Sequence, residues 1–211
     1  MLKSINKVIK VIIVYDFFLN SAWGLLAPIF AIFIVRNITV GDPLVGARVA
    51  GFASLIYWMT KSLLQIPIGK YLDRNHGEKD DLWFAVTGTF LAGLVPLGYL
   101  ISTQPWHIYL CQVLYAVGMS MVIPSAYSIF VRHIDKGKEA FEWGTDSTFL
   151  GFGVGVTGAL GGVISSIFGF RVILIVASFL TILSASLMLL IRKEMTSKDK
   201  TIHEIPPSKI F

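Results

Sequence analysis

The chain alternates long apolar runs with short polar breaks. Six runs stand out, near residues 8–35, 48–71, 82–101, 106–132, 141–168 and 170–191. Each reaches the roughly 20 residues that a helix needs to cross about 30 Å of hydrocarbon at 1.5 Å per residue. The breaks carry turn and charge signals: Asn37 with Gly41-Asp42-Pro43, Asp73 to Asp81, Gln104-Pro105, His133 to Glu139, and Gly169. The pattern predicts an all-α membrane protein with six transmembrane helices over residues 1–191. A polar tail follows, 192–211, with Pro206-Pro207 and too little apolar content to order itself. Only Gly169 separates the fifth and sixth runs, which predicts a tight helical hairpin. The first run is too long for a signal peptide, is interrupted by Asp16, and precedes no small-x-small cleavage site, so it reads as a retained span.

Composition agrees. Hydrophobic residues make up 55% and charged residues 15%, with a mean hydropathy of +0.71, outside the range of soluble domains. The net charge of +5 is distributed unevenly. Six spans put both termini on one side, and that side carries Lys3, Lys7, Lys10, Lys70, Arg74, Lys79, Arg132, Lys136, Lys138, Arg192, Lys193, Lys198, Lys200 and Lys209. The other side holds Arg36, Arg48 and Arg171. Fourteen against three predicts cytoplasmic termini and argues against dual topology. The charge therefore reads as loop charge beside a bilayer, not as a nucleic-acid footprint. The single Cys111 excludes an internal disulfide, and the four histidines are scattered, so no metal and no cofactor is expected. No His-Glu-x-x-His occurs, and Gly118-Met119-Ser120-Met121-Val122 misses the last glycine of a nucleophile elbow, so the chain does not read as an enzyme.

Ionisable residues within spans are costly and mark candidate functional sites. Here they are Asp16, Lys61, Glu142 and Asp146. At about 100° per residue they fall on polar stripes. Asp16, Asn20, Trp23 and Ala27 share one face of the first span. Ser54, Tyr57, Trp58, Lys61 and Gln65 share one face of the second. Tyr109, Gln112, Ser120 and Tyr127 line the fourth, and Glu142, Asp146, Gly153 and Thr157 the fifth. The third span has almost no polar face. The sixth offers only Ser178, Thr181, Ser184, Ala185 and Ser186, suited to close helix packing. This division predicts a cavity lined by spans one, two, four and five. Asp16 and Lys61 both lie roughly 12–14 Å deep, which allows either a structural salt bridge or a site that the pair opens and closes. Glu142 sits where it would stabilise a helix N-terminus. Asp146, a turn deeper, suits a proton carrier better. Trp83, Trp106 and Trp143 read as interfacial anchors, whereas Trp23, Tyr57, Trp58 and Tyr127 read as cavity residues. The aromatics would suit a sugar or an amphipathic cation, and Lys61 would suit an anion; the sequence leaves the solute open.

The loop after the second span reads Gly69-Lys70-Tyr71-Leu72-Asp73-Arg74-Asn75-His76-Gly77-Glu78-Lys79. It resembles the signature loop of the major facilitator superfamily, Gly-x-Leu-x-Asp-Arg-x-Gly-Arg/Lys-Arg/Lys. Here Gly77 comes one residue late and Glu78 takes a basic position. Gly153 followed by Thr157-Gly158-Ala159-Leu160-Gly161-Gly162 is similar to that family's glycine-rich fifth-helix motif, with Gly153, Gly158, Gly161 and Gly162 as helix-packing glycines. Leu110 to Ser120 is similar to its fourth-helix segment, with Leu114 at the arginine position, and Gly169-Phe170-Arg171 to its Gly-Trp-Arg turn. The family is built from two six-helix halves, each a 3+3 repeat, and the resemblance covers one half. It implies a secondary active transporter of a small solute, working by alternating access and with protons as a candidate coupling ion through Asp16, Glu142 or Asp146. A second copy in the same orientation would supply the missing wall, forming a parallel homodimer in the cytoplasmic membrane of a prokaryote. Asp73 and Arg74 would hold the two subunits together at their cytoplasmic ends. The alternatives are pairing with a separately encoded second half, or a non-transporting assembly protein.

Overall fold

In the computed structural model, which describes residues 5–74 and 77–195, the chain is all-helical. Its helices are α1 (Lys7–Leu26), α2 (Phe30–Asn37), α3 (Pro43–Arg74), α4 (Glu78–Leu100), α5 (Pro105–His133), α6 (Glu139–Phe168) and α7 (Phe170–Met188). A 3-10 turn, Leu189–Ile191, and one further helical turn to Met195 extend α7. Five helices are long and apolar enough to cross a membrane: α1, α4, α5, α6 and α7 with its extension. The 32-residue α3 is the longest, but Arg48, Lys61, Gln65 and Lys70 make it less apolar.

The first apolar run is not one helix. It breaks at Ala27–Ile29, because Pro28 has no N–H to donate and its ring crowds the preceding turn. Ile29 N bonds to Leu26 O instead of Leu25 O, so the carbonyls of Gly24 and Leu25 lose their usual helical donors. Elsewhere the boundaries follow local chemistry. Asp42 Oδ1 accepts from the amides of Leu44 and Val45 at 2.9 and 3.0 Å, which starts α3 at Pro43, five residues before the apolar run. Glu78, Asp80 and Asp81 occupy the first turn of α4, where the helix dipole favours negative charge. Gln104 and His107 form a reciprocal cap around Pro105 at the start of α5. Gly169 ends α6 at φ 77°, a conformation that favours glycine.

Packing separates the two helices that this one-residue turn joins. In place of the expected hairpin, α6 lies chiefly against α1, and α7 against α4 and α1. The other principal pairings are α4 with α5 and α3 with α5. Small and polar side chains explain the choice. On α7, Ser178 donates to Gly93 O (2.7 Å) and Ser184 to Tyr15 O (2.8 Å), both buried. On α6, a Cβ at Gly153 would meet Ser21 and Phe17, and one at Gly161 would meet the backbone of Leu25. The freed carbonyl of Leu25 thus lies against a helix that has no side chain there. A Cβ at Gly158 would come within ordinary contact of Gly24 O, but one at Gly162 would meet nothing among the described residues, a correction to its reading as a packing glycine.

Asn6 Nδ2 donates to His133 O (2.7 Å), and Lys7 pairs with Glu194. Both described ends of the chain therefore lie at one end of the bundle, the terminal end. Two apolar layers fill the interior. One lies near the terminal end, around Ile9, Ile12, Leu82, Ile129 and Met188. The other lies beyond it, around Leu25, Ile34, Val95, Ile108 and Ile173. By contrast α3 buries only Gly46, Val49, Ala53, Lys61 and Leu72, and α6 only Glu142, Thr145, Asp146, Gly153 and Gly161.

The α1–α6 contact makes a paired prediction. Gly161→Val forces the Leu25 backbone aside and is expected to cost about 1–3 kcal/mol. Gly162→Val, one residue on, is expected to change stability by no more than about 0.5 kcal/mol. Thermal unfolding of the two purified variants distinguishes the positions, and equal losses would refute the packing account.

Candidate functional site

A cavity of about 260 Å³ opens between α1, α3 and α5. The broken turn after α1 supplies Leu26, Ala27 and, with α2, Phe30. Trp23 of α1, Ala50, Ser54 and Tyr57 of α3, Gln112 and Tyr115 of α5 and Tyr99 of α4 complete the lining. Its wall is an aromatic stack. The centroid of the Tyr115 ring lies 4.8 Å from that of Tyr57 at an interplanar angle of 19°, and 3.9 Å from that of Trp23 at 31°. Phe30 and Tyr99 pack at 5.4 Å. Packed rings of this kind, stacked at Tyr57–Tyr115 and tilted at the other two pairs, restrict one another and present aromatic surface to a ligand. Gln112 Nε2 donates to Tyr99 Oη at 3.1 Å, whereas the buried indole N–H of Trp23 has no partner among the described residues. No charged side chain among the described residues lines the cavity.

Trp23, Tyr57 and Gln112, all expected in the pathway, do line this cavity. Gln65 instead lines a second hollow of about 340 Å³ with Ser62, Ile66 and Pro124, nearer the terminal end. Tyr109 is half-buried against the outer apolar layer. Asn20 folds back on its own helix, donating to Asp16 O at 2.9 Å. Tyr127 is exposed, its ring 5.8 Å from Trp143. Trp58 is exposed and stands edge-on to Tyr57. Tyr115 and Tyr99 escaped the sequence reading. Tyr115 lies one turn from Gln112 on a neighbouring stripe, and Tyr99 belongs to the span read as lacking a polar face. The fifth span, expected to line the cavity, contributes nothing to it.

Asp16 and Lys61 do not pair. Equal depth is not adjacency: α1 packs on α6 and α7, while α3 is held by α5. Lys61 Nζ sits over the Trp58 ring, 4.5 Å from its centroid, and 5.8 Å from that of Tyr57. Asp16 instead lies close enough to Asp146 for their charges to interact, with Tyr127 within reach of both. Asp146 is 7% exposed, and one of its carboxylate oxygens has no hydrogen-bond partner among the described residues. Glu142 belongs to a different group: its Oε2 accepts from Asp135 N at 3.1 Å and ties down the turn before α6.

That turn is part of a polar network at the terminal end. Asp81 pairs with Arg132 and accepts from Ser128 at 3.2 Å. Asp135 accepts from Asn6 (3.1 Å) and Lys138 (3.2 Å). Those bonds, Asn6 first, hold the Asp135 carboxyl below its ordinary range. In the signature-like loop, Gly69 packs near Pro124, Gly77 begins α4, and Asp73 and Arg74 are exposed at the terminal end without an ion pair among the described residues. Asn75 and His76 lie outside the described residues, as does the polar tail from residue 196.

The family model for the Major Facilitator Superfamily matches residues 13–209, nearly the whole chain. No curated protein matches it. With its apolar helices, its signature-like loop and a match of this extent, the chain is an integral, multi-pass membrane protein that belongs to the Major Facilitator Superfamily, a family of transporters.

Proposed function

We propose that the chain is a half-size secondary transporter: a six-span, 3+3 unit with cytoplasmic termini that works as a parallel homodimer by alternating access. The observation that carries this reading is the aromatic cavity, bounded by α1, α3 and α5 yet open, on a chain whose α3 and α6 are largely uncovered. Large apolar side chains there are more than half exposed, among them Phe52, Leu63 and Ile66 on α3 and Phe152, Val163 and Ile167 on α6. A second copy in the same orientation supplies the opposite wall, and two-fold pairs are the commonest closed assembly.

The packing pattern supports the 3+3 reading. Shifting each span by three carries α1 to α5, α3 to α6 and α4 to α7. Under that shift α1–α6 becomes α5–α3, α4–α5 becomes α7–α1, and α4–α7 maps onto itself. All five principal pairings are thus related by one operation, as an internal repeat requires. The 32-residue α3 spans roughly 48 Å, enough to cross a bilayer, if its polar side faces a water-filled path rather than lipid. The concentration of Lys and Arg at the terminal end supports cytoplasmic termini in the cytoplasmic membrane of a prokaryote. Asp73 and Arg74, exposed and without an ion pair among the described residues, are available to bind the facing subunit when the cytoplasmic side closes. Asp16 and Asp146 are the carboxylates offered for proton coupling.

Reconstituted uptake with this chain alone tests the transport reading. Cysteines introduced in a Cys111→Ser background test the assembly. Position 74 of one subunit is expected to crosslink to position 74 of another, and position 74 not to position 44 at the opposite end. Absence of 74–74 crosslinks in an actively transporting preparation would replace the homodimer with a monomer or a heteromer.

The carboxylates carry a second prediction. Asp146→Asn is expected to abolish uptake driven by a pH gradient while leaving solute binding measurable by calorimetry. Uptake that still follows the pH gradient would remove Asp146 from the coupling.

A further inference from the structure

Lys61 lies thirteen residues from the end of α3 at Arg74, roughly 20 Å along the helix. It is 9% exposed. An ammonium group at that depth needs a counter-charge, and none of the described residues supplies one: no carboxylate pairs with it, and Asp16 is engaged on another wall. The faces of Trp58 and Tyr57 attract it, but a ring quadrupole carries no net charge and cannot neutralise it.

The position of Lys61 between two hollows shows what could. Ser54 and Tyr57 line the aromatic cavity; Ser62 and Gln65 line the second hollow. Residues 54, 57, 61 and 65 fall on one stripe of α3, so Lys61 stands between the two spaces, beside the path that would join them. Resting on the transport reading above, we infer that the transported solute is a small organic monoanion, its carboxylate taken by Lys61 Nζ and its flat or apolar body laid against the rings of Tyr57 and Tyr115.

The chemistry excludes the neighbouring classes. A cationic solute would meet the lysine and find no carboxylate in the cavity lining. A dianion would bring one charge more than this site neutralises. A lipid phosphate remains near the headgroups, roughly 20 Å along α3 from Lys61, so the anion is a free solute. The hydrogen-bonding groups at the cavity, Ser54, Gln112 and the Trp23 indole N–H, orient a polar substituent without adding charge.

The test uses the full chain in nanodiscs of zwitterionic lipid, with three phenyl probes of similar size and different charge: benzoate, benzamide and benzylamine. Benzoate is expected to raise the unfolding temperature in a dose-dependent way and to change the tryptophan emission; benzamide and benzylamine are expected to do neither. Lys61→Met should weaken benzoate binding about tenfold or more, and Lys61→Arg should retain it. Without any probe, Lys61→Met should be at least as stable as the parent, because it removes an uncompensated charge; a purely structural lysine held by the rings would make it less stable.

The inference is overturned if benzamide or benzylamine stabilises as strongly as benzoate, if benzoate fails to bind, or if its binding survives Lys61→Met. It is also overturned if benzoate is displaced by adding anionic lipid, which would identify a headgroup site. Should Lys61→Met not fold, the parent's ranking of the three probes decides alone. The two readings fail separately. Benzoate binding with no uptake of any carboxylate in vesicles ends the transport reading and keeps the anion site. Uptake of a neutral solute that ignores Lys61→Met does the reverse.

Discussion

The close approach of α1 to α6 determines where everything else in this chain can sit. A proline at position 28 leaves two carbonyls without helical donors, and α6 meets one of them with a glycine, Gly161, where any side chain would collide with the backbone of Leu25. Cα–H···O contacts and plain van der Waals contact are what hold helices together in a medium that offers no hydrophobic drive between them. This seam draws α6 away from α7 despite the single residue that joins them. It also turns the polar edge of α1 in two directions. Asp16 lies within electrostatic reach of Asp146 toward the terminal end, and Trp23 packs on Tyr115 at the cavity. With α1 occupied by α6 and α7, α3 is left to α5, and most of its length remains uncovered.

In hydrocarbon every polar group must find its partner within the protein, and most of the hydroxyls here do so within one turn. Thr89 donates to Ala85 O while taking the hydroxyl of Tyr15, and Thr145, Thr157 and Thr181 bond back to their own helices. Such groups are structural and silent. Against that background the exceptions at the depth of the cavity and the carboxylates are few: Ser21 Oγ, Trp23 Nε1 and Asp146 Oδ1 lack a partner among the described residues. Two of the three residues, Trp23 and Asp146, belong to the cavity lining or to the carboxylate pair. An unsatisfied group in this medium costs several kcal/mol, so its retention there is better explained by a ligand than by packing.

The sequence was most legible where the physics is local. Apolar run length located the helices, and turn chemistry at Asp42-Pro43, Gln104-Pro105 and Gly169 located most of their ends. The break at Pro28 was hidden because hydropathy is blind to the backbone: Leu25, Leu26, Ile29 and Phe30 keep the run apolar straight through it. The signature-like loop was legible as a motif, and the chain as a whole matches the family over residues 13–209. Pairing was not legible. Depth along a helix follows from counting residues, but which helix faces which depends on glycines and small residues far from the charges, so Asp16 and Lys61 shared a depth and not a contact. Tyr115 and Tyr99 were passed over because a stripe chosen for polarity discards aromatic residues one turn away, and these build the cavity wall.

The separation of charges bears on how a cycle could be coupled. The carboxylates lie on the α1–α6 wall and the lysine on the α3–α5 wall, each held by different neighbours. Unit charges interact by roughly 4 kcal/mol at 4 Å in a partly screened protein environment, and by far more in a dry one. Closing two such walls around an empty path leaves the opposite signs to offset one another, whereas closing them around one ligand alone buries a net charge, at a desolvation cost of several kcal/mol per ion. On the proposed reading, a monoanion at Lys61 and a proton on the aspartates neutralise each wall separately. The loaded path can then close and reopen on the other side, while a path carrying only one of the two keeps an uncompensated charge and stays open. Coupling then requires no contact between the solute and the proton site. It needs only that both walls belong to one cavity and that the cavity cannot close around a net charge.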